Sequence, residues 1–174
     1  MTGLKVEIAQ QREFSSAEEE ALLNLLRTAD CLERAFHLRT RGWGVTSTQY
    51  NVLRILRGAH PQGLTCSAIG SRMITADPDI TRLLARLKAL KLIRQKRDAH
   101  DRRVVITHIS DAGMELLRKM DPVIQQLPRE LLGHLAPGDV ESLIRLLESA
   151  RSCCAGAVDA ATCDGECPAR SATV

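Results

Sequence analysis

The strongest constraint on the fold lies in residues 77–109, where an amphipathic helical pattern runs directly into the chain's one strongly β-branched run. Ile80, Leu83, Leu84, Leu87 and Leu90 fall at the three- and four-residue spacings of one helical face. Asp77 is a good N-cap and Pro78 suits the first helical position, so the helix is predicted to start there. The opposite face carries Asp79, Thr81, Arg82, Arg86 and Lys88. Residues 92–97 and 102–109 then read as two strands around a polar tip, Asp98-Ala-His-Asp, the second holding Val104, Val105, Ile106, Thr107 and Ile109. Local preference thus changes from a helical period to a strand period over a few residues. The pattern predicts helices packed beside a β-hairpin.

Helical patterns also lie on both sides. Residues 16–38 place Leu22, Leu25, Leu26, Ala29, Leu32 and Phe36 on one stripe, with Ser16 and Glu19 as a capping box. Gly42-Trp43-Gly44 breaks that pattern. Thr46 and Gln49 open a second helix through Val52, Leu53, Ile55 and Leu56, which Gly58 ends. Thr65 caps a short helix of two to three turns with Ala68, Ile69 and Met73. After the hairpin, Ser110 caps a helix that Pro122 and Pro128 are expected to bend or interrupt. A last helix, residues 138–151, is expected to bury Val140, Leu143, Ile144, Leu146 and Leu147. Residues 152–174 show no periodicity and read as a flexible, cysteine-containing tail.

Charge is concentrated where the hairpin is. The whole chain of 174 residues has a net charge of only +3, yet residues 65–110 hold ten Lys or Arg against four Asp or Glu. That is the local footprint expected for a polyanion partner. Four aromatic residues, Phe14, Phe36, Trp43 and Tyr50, are too few for the stacking platforms of single-strand binders, so duplex is the favoured partner. No stretch approaches the roughly 20 apolar residues of a membrane span. Lys5, Glu7, Arg12 and Glu13 fall where a signal peptide would be apolar, so the expected location is the cytoplasm.

Three helices followed by a hairpin is the order of a winged helix-turn-helix, and the expected class is mainly α with a small β-hairpin wing. A major groove about 12 Å wide admits one helix. Arg82 can bond the O6 and N7 of a guanine, Thr81 can meet a thymine methyl or a phosphate, and Arg86 shares their face. Thr65, Ser67 and Asp79 join the candidate DNA-binding set, as do Arg97, Arg102 and Arg103 flanking the hairpin tip. An arginine there suits a narrow minor groove, and Asp101 or Asp98 can hold it by a bidentate pair.

The segments Val45-Thr-Ser-Thr-Gln-Tyr-Asn-Val-Leu-Arg, Leu64-Thr-Cys-Ser-Ala-Ile-Gly, Thr81-Arg-Leu-Leu-Ala-Arg-Leu, Arg97-Asp-Ala-His-Asp-Arg-Arg and Ile109-Ser-Asp-Ala-Gly resemble the MarR family of bacterial winged-helix transcription regulators. The resemblance covers residues 16–151. It implies a single domain in which residues 16–44 and 111–151 dimerise and 45–110 form the winged lobe, with residues 1–15 as an N-terminal segment. It also implies a homodimer on a pseudo-palindromic operator, a small-ligand pocket between lobe and dimerisation helices, and Arg103 as wing arginine with Asp101 as its partner. Apart from the family, the flanking helices hold more Leu, Ile and Val than a compact lobe can cover, which also predicts a partner chain.

For the ligand, His37, Arg39, Trp43 and Tyr50 cluster at the junction of the first two helices, a set suited to a small aromatic or anionic effector. The alternative is that Trp43 and Tyr50 are core or interface residues and Arg39 a solvated helix-end cation. Cys31 and Cys66 read as small, half-buried side chains. Cys153, Cys154, Cys163 and Cys167 are candidate soft-metal ligands, although their spacing departs from Cys-x-x-Cys knuckles. No cofactor is expected. No nucleophile and base pair or phosphate loop suggests an enzyme. The reading is a duplex-binding regulator, with two alternatives: a metal- or thiol-responsive regulator using the tail, and a winged-helix protein-interaction module.

Overall fold

The computed structural model describes residues 3–75, 79–99 and 101–163, with residues 153–163 as backbone only. The elements in order are α1 (Leu4–Glu7), α2 (Ala17–Thr40), a 3-10 turn (Arg41–Trp43), α3 (Ser47–Gly58), β1 (Leu64–Thr65), α4 (Cys66–Gly70), α5 (Ile80–Ala89), β2 (Ile93–Arg97), β3 (Val105–Ile109), α6 (Asp111–Leu132) and α7 (Pro137–Cys163). The chain divides into two compact units, Met1–Leu127 and Pro128–Val174, where the sequence suggested one domain over residues 16–151. Among the described residues no helix is long and apolar enough to cross a membrane.

In the first unit the core forms around α3 and α5. Val52, Leu53 and Leu56 of α3 meet Leu83, Leu84 and Leu87 of α5, together with Ile69, Ile93, Ile109, Leu117 and Met120. Full burial of each such side chain is worth about 1.5–3 kcal/mol against exposure. This packing leaves the other face of α5 in solvent. The sheet is antiparallel in the order β1-β3-β2, with Arg97 opposite Val105 and Ile93 opposite Ile109. β1 is a two-residue strand, Leu64 and Thr65 pairing with Thr107 and Ile106, and it anchors the start of α4 to the hairpin. Gly63 before it is obligatory: a Cβ would stand 2.6 Å from the Thr107 carbonyl oxygen.

Local caps explain most boundaries. Ser16 accepts the Glu19 N–H at 3.2 Å, but the Glu19 carboxylate turns to Ser15, whose hydroxyl and N–H hold it below the usual carboxylate pKa. Thr46 and Gln49 form the full reciprocal box that sets the phase of α3. Ser110 Oγ accepts the Gly113 N–H at 3.1 Å and donates to the Lys91 carbonyl at 2.7 Å. Gly113 can be nothing larger, since a Cβ would lie 2.3 Å from the Leu92 carbonyl oxygen.

Several expectations need correction. The helix with the strongest signal starts at Ile80 and is capped by Asp79, whose carboxylate accepts the Arg82 N–H at 3.0 Å; Asp77 and Pro78 lie outside the described residues. Leu90, expected on its apolar stripe, is exposed at the helix end. α4 has five residues and stops before Met73. β3 begins at Val105 rather than at 102, because the preceding N–H groups are used by the turn: Val104 donates to the Asp101 carbonyl and Arg103 to the Asp101 carboxylate. α6 passes Pro122 and Pro128 without a break. Both rings are exposed, so water can take up the carbonyls they leave without a donor.

The second unit holds the end of α6 and α7. Here the helix continues to Cys163, beyond the predicted end at 151, so the cysteine-containing segment is not wholly irregular. Ala155, Ala157, Ala160 and Ala161 favour helix, and no proline intervenes before 168. Residues 164–174, including Cys167, lie outside the described residues. α7 buries none of the five apolar residues expected of it: Ile144 and Leu146 are exposed, and Val140, Leu143 and Leu147 are half-buried.

Candidate nucleic-acid interface

The buried stripe Leu83, Leu84 and Leu87 fixes the rotation of α5 and turns Thr81, Arg82 and Arg86 outward. Their heads are free of the core. Thr81 faces a cleft of about 600 Å³ between α5 and the wing, lined also by Cys66, Ala85, Lys88, Gln95 and Val105. Ser67 is exposed on α4, whereas Thr65 is half-buried and spends its hydroxyl on the Ala68 N–H at 3.2 Å. Asp79 is likewise engaged as a cap, its Oδ1 accepting the Arg82 N–H at 3.0 Å.

At the wing, Arg97 ends β2, and Arg102 and Arg103 sit in the turn, all three exposed. Asp101 meets Arg103 at its backbone: the Oδ1 to N distance is 2.9 Å. Asp98 Oδ1 in turn accepts the Asp101 N–H at 3.0 Å, and the Asp98 N–H donates to the Val104 carbonyl at 2.9 Å. The two acids fold the tip and project the arginine heads into solvent. The contact seen between Asp101 and Arg103 is thus to the main chain, where a pair with the guanidinium was expected. His100 lies outside the described residues.

A second cavity, about 660 Å³, opens between α2 and α3. One wall is Ala29, Leu32, Glu33 and Phe36 of α2, and the other Ser47, Tyr50, Asn51 and Arg54 of α3, with Ile74 and Thr75 at one end. Both walls follow the spacing of a helical face. The Phe36 and Tyr50 rings lie 5.5 Å apart, and the Arg54 guanidinium stands 5.9 Å from the centre of the Tyr50 ring. Burial pushes the Tyr50 phenol up, opposed by the Arg54 charge. Of the four residues singled out for a ligand, only Tyr50 lines this cavity. Trp43 packs against the core, and His37 and Arg39 are exposed near the end of α2. The sequence missed Phe36, Asn51 and Arg54, although Asn51 and Arg54 sit one and four positions after Tyr50.

Cys31 is exposed, with Arg34 Nη2 3.6 Å from its sulfur, which corrects the half-buried expectation; Cys66 is half-buried. Among the described residues no group of three metal-ligating side chains comes together. Cys153, Cys154 and Cys163 are described as backbone only.

The sequence model of the MarR family matches residues 43–104, from Trp43 through the wing turn. Over a longer span the chain is 38% identical to a MarR transcription factor from Planctomyces limnophilus whose crystal structure covers 78% of this chain and 98% of its own, with a TM-score of 0.61. The chain belongs to the MarR family. The MarR fold explains the helix order and the wing at once, and its members are transcription factors that bind DNA, not enzymes. Two further relatives are an uncharacterized HTH-type transcriptional regulator, YkoM, of Bacillus subtilis and the PcaV transcriptional regulator of Streptomyces coelicolor. YkoM is 29% identical over 144 residues, covering 79% of this chain and 90% of its own. PcaV, solved in complex with its natural ligand, is 26% identical, covers 72% of this chain and 89% of its own, and has a TM-score of 0.61.

Proposed function

We propose that this MarR-family regulator is a homodimeric, cytoplasmic repressor that reads a pseudo-palindromic operator and is released from it by a small ligand. The observation that carries the reading is the outward face of α5, where Thr81, Arg82 and Arg86 stand in solvent above the buried leucines, beside a wing tip bearing Arg97, Arg102 and Arg103. One helix enters a major groove and the wing arginines reach the adjacent backbone or minor groove. Dimerisation is supported by the exposed Leu22, Leu25 and Leu26 on α2 and by Ile144 and Leu146 on α7. A monomer leaves these in water at a cost that a second copy removes.

Ligand release is supported by the cavity between α2 and α3 and by the natural-ligand complex of PcaV. Phe36 and Tyr50 offer an aromatic floor, and Arg54 offers one cation for an anionic group. The testing experiment is selection from a random duplex library at about 0.15 M salt, where purely electrostatic binding is weakened. An inverted repeat with half-sites centred about 10 bp apart is expected. Folded protein that enriches no sequence would overturn the reading.

A further inference from the structure

We propose that Asn51 is a positioning residue for DNA reading, fixing the backbone from which the recognition helix α5 sets out. The inference rests on the operator-reading role proposed for α5. The Ile74 N–H donates to Asn51 Oδ1 at 3.0 Å, a bond between positions 23 apart in the chain. Nothing else described holds Ile74 by packing: its side chain is 82% exposed. α4 has already ended, and its closing turns finish with Met73 donating to the Gly70 carbonyl. The backbone at Ile74 is therefore tied to a side chain of α3 instead of to its own helix.

The other end of the bond is rigid. Asn51 sits one turn into α3, whose phase is set by the Thr46 and Gln49 box and by fully buried Val52, Leu53 and Leu56. Five positions after Ile74, Asp79 caps α5, and Thr81 and Arg82 occupy its first turn. That turn is held by the Asp79 cap bond and by Ile80, which packs against the edge of the core. The first well-buried residue is Leu83, and Ile80 is only half-buried. The tether at Ile74 adds a fixed point of the chain five positions ahead of the part of α5 that reads base edges, where small displacements matter most. Asn51, Ile74 and Thr75 also line the α2–α3 cavity, so a ligand seated there touches both ends of the bond. The bond thus joins the α3 wall of that cavity to the backbone at Ile74.

The test compares Asn51→Ala, Asn51→Leu and Asn51→Asp in the full-length protein. Leu keeps much of the side-chain volume and removes the acceptor, so it serves if Ala fails to fold; Asp keeps an acceptor oxygen. Binding to the selected operator and to a scrambled duplex is measured across a salt series, with thermal melting alongside. Expected for Ala and Leu is a fall of about fivefold or more in the ratio of operator to scrambled affinity. Scrambled-duplex affinity and the salt slope stay as in the wild type, and Asp restores most of the ratio. A wild-type ratio in both Ala and Leu overturns the proposal, as does an equal loss on both duplexes tracking a lowered melting temperature. Wild-type protein without operator preference would instead overturn the reading on which the proposal rests.

Discussion

Arg57 Nη1 lies 2.7 Å from Asp121 Oδ2, joining α3 to α6 across 64 positions of sequence. Both side chains are about two-thirds covered, at 35% and 27% exposure, so the pair is screened less than a surface ion pair. Asp121→Asn is expected to cost about 1 kcal/mol of unfolding free energy, between the values for exposed and buried pairs. Urea unfolding of the two single variants and the double variant with Arg57→Gln measures it. Additive losses would show that the residues do not interact.

Gly113→Ala is expected to be strongly destabilising. The added methyl would sit 2.3 Å from the Leu92 carbonyl oxygen, which already accepts the Ser110 N–H, and 2.8 Å from Ile109 Cγ1. Neither the strand end nor the helix start can move without losing the bonds from Ser110. The expected loss is about 2–4 kcal/mol, seen as a melting temperature lower by about 5–15 °C. A drop under 2 °C would mean the helix start yields.

Capping was legible in the sequence because it is local: Ser16, Thr46, Thr65 and Ser110 each bond an N–H within three residues. The helix, helix, helix and hairpin order followed from periodicity for the same reason. Asp77 and Asp79 are equally good caps by residue type, and only the bond to the Arg82 N–H decides between them. β1 was invisible because two residues have no period; it exists because β3 has a free edge. The cavity walls depend on which faces of α2 and α3 meet. His37 and Arg39 are near Phe36 in sequence, yet the α2 wall of the cavity ends at Phe36 and both side chains are exposed beyond it. Tertiary contact, not chemistry, was the missing information.

Glu115 gives a pH prediction with a definite sign. The Arg118 guanidinium, bonded at 2.8 Å to both carboxylate oxygens, holds its pKa down from 4.5 to about 2, helped by Lys119. A lowered folded-state pKa stabilises the fold above pH 4.5, and that contribution is lost as pH falls from 4.5 to about 2. The Glu115 side chain is 45% exposed, so the effect is small and fades with salt. Glu115→Gln is expected to flatten the acid side of the stability profile in low salt. Parallel profiles for variant and wild type between pH 5 and pH 2.5 would show that the pair contributes nothing.

The two basic elements predict separable defects. Arg103 projects from a turn whose shape is set by its own N–H bond to Asp101, which suits contact with backbone or groove rather than with one base edge. Arg103→Ala is expected to weaken binding on every duplex and to lower the salt slope by about one. Arg82→Ala is expected to relax preference at one base pair per half-site, at about 1–3 kcal/mol. Affinities for a panel of single-position operator variants distinguish them. The same sequence-independent loss in both would end the division of labour.

The apolar face of α2 decides whether these elements work in pairs. Leu22 and Leu26 are 56% and 60% exposed and lie one turn apart, so they share a face that a helix of a single soluble chain would ordinarily cover. Leu26→Glu puts a charge into that face without touching the core around α3 and α5. If a second copy covers it, the charge is buried unpaired and the dimer dissociates, while the helical content measured by circular dichroism stays the same. Operator affinity then falls steeply, because one lobe alone holds one half-site and loses the effective concentration that the second supplies. Sedimentation of wild type and variant at micromolar concentration is the direct check. A wild type that sediments as a monomer, or a Leu26→Glu dimer as tight as the wild type, would remove this face from the interface.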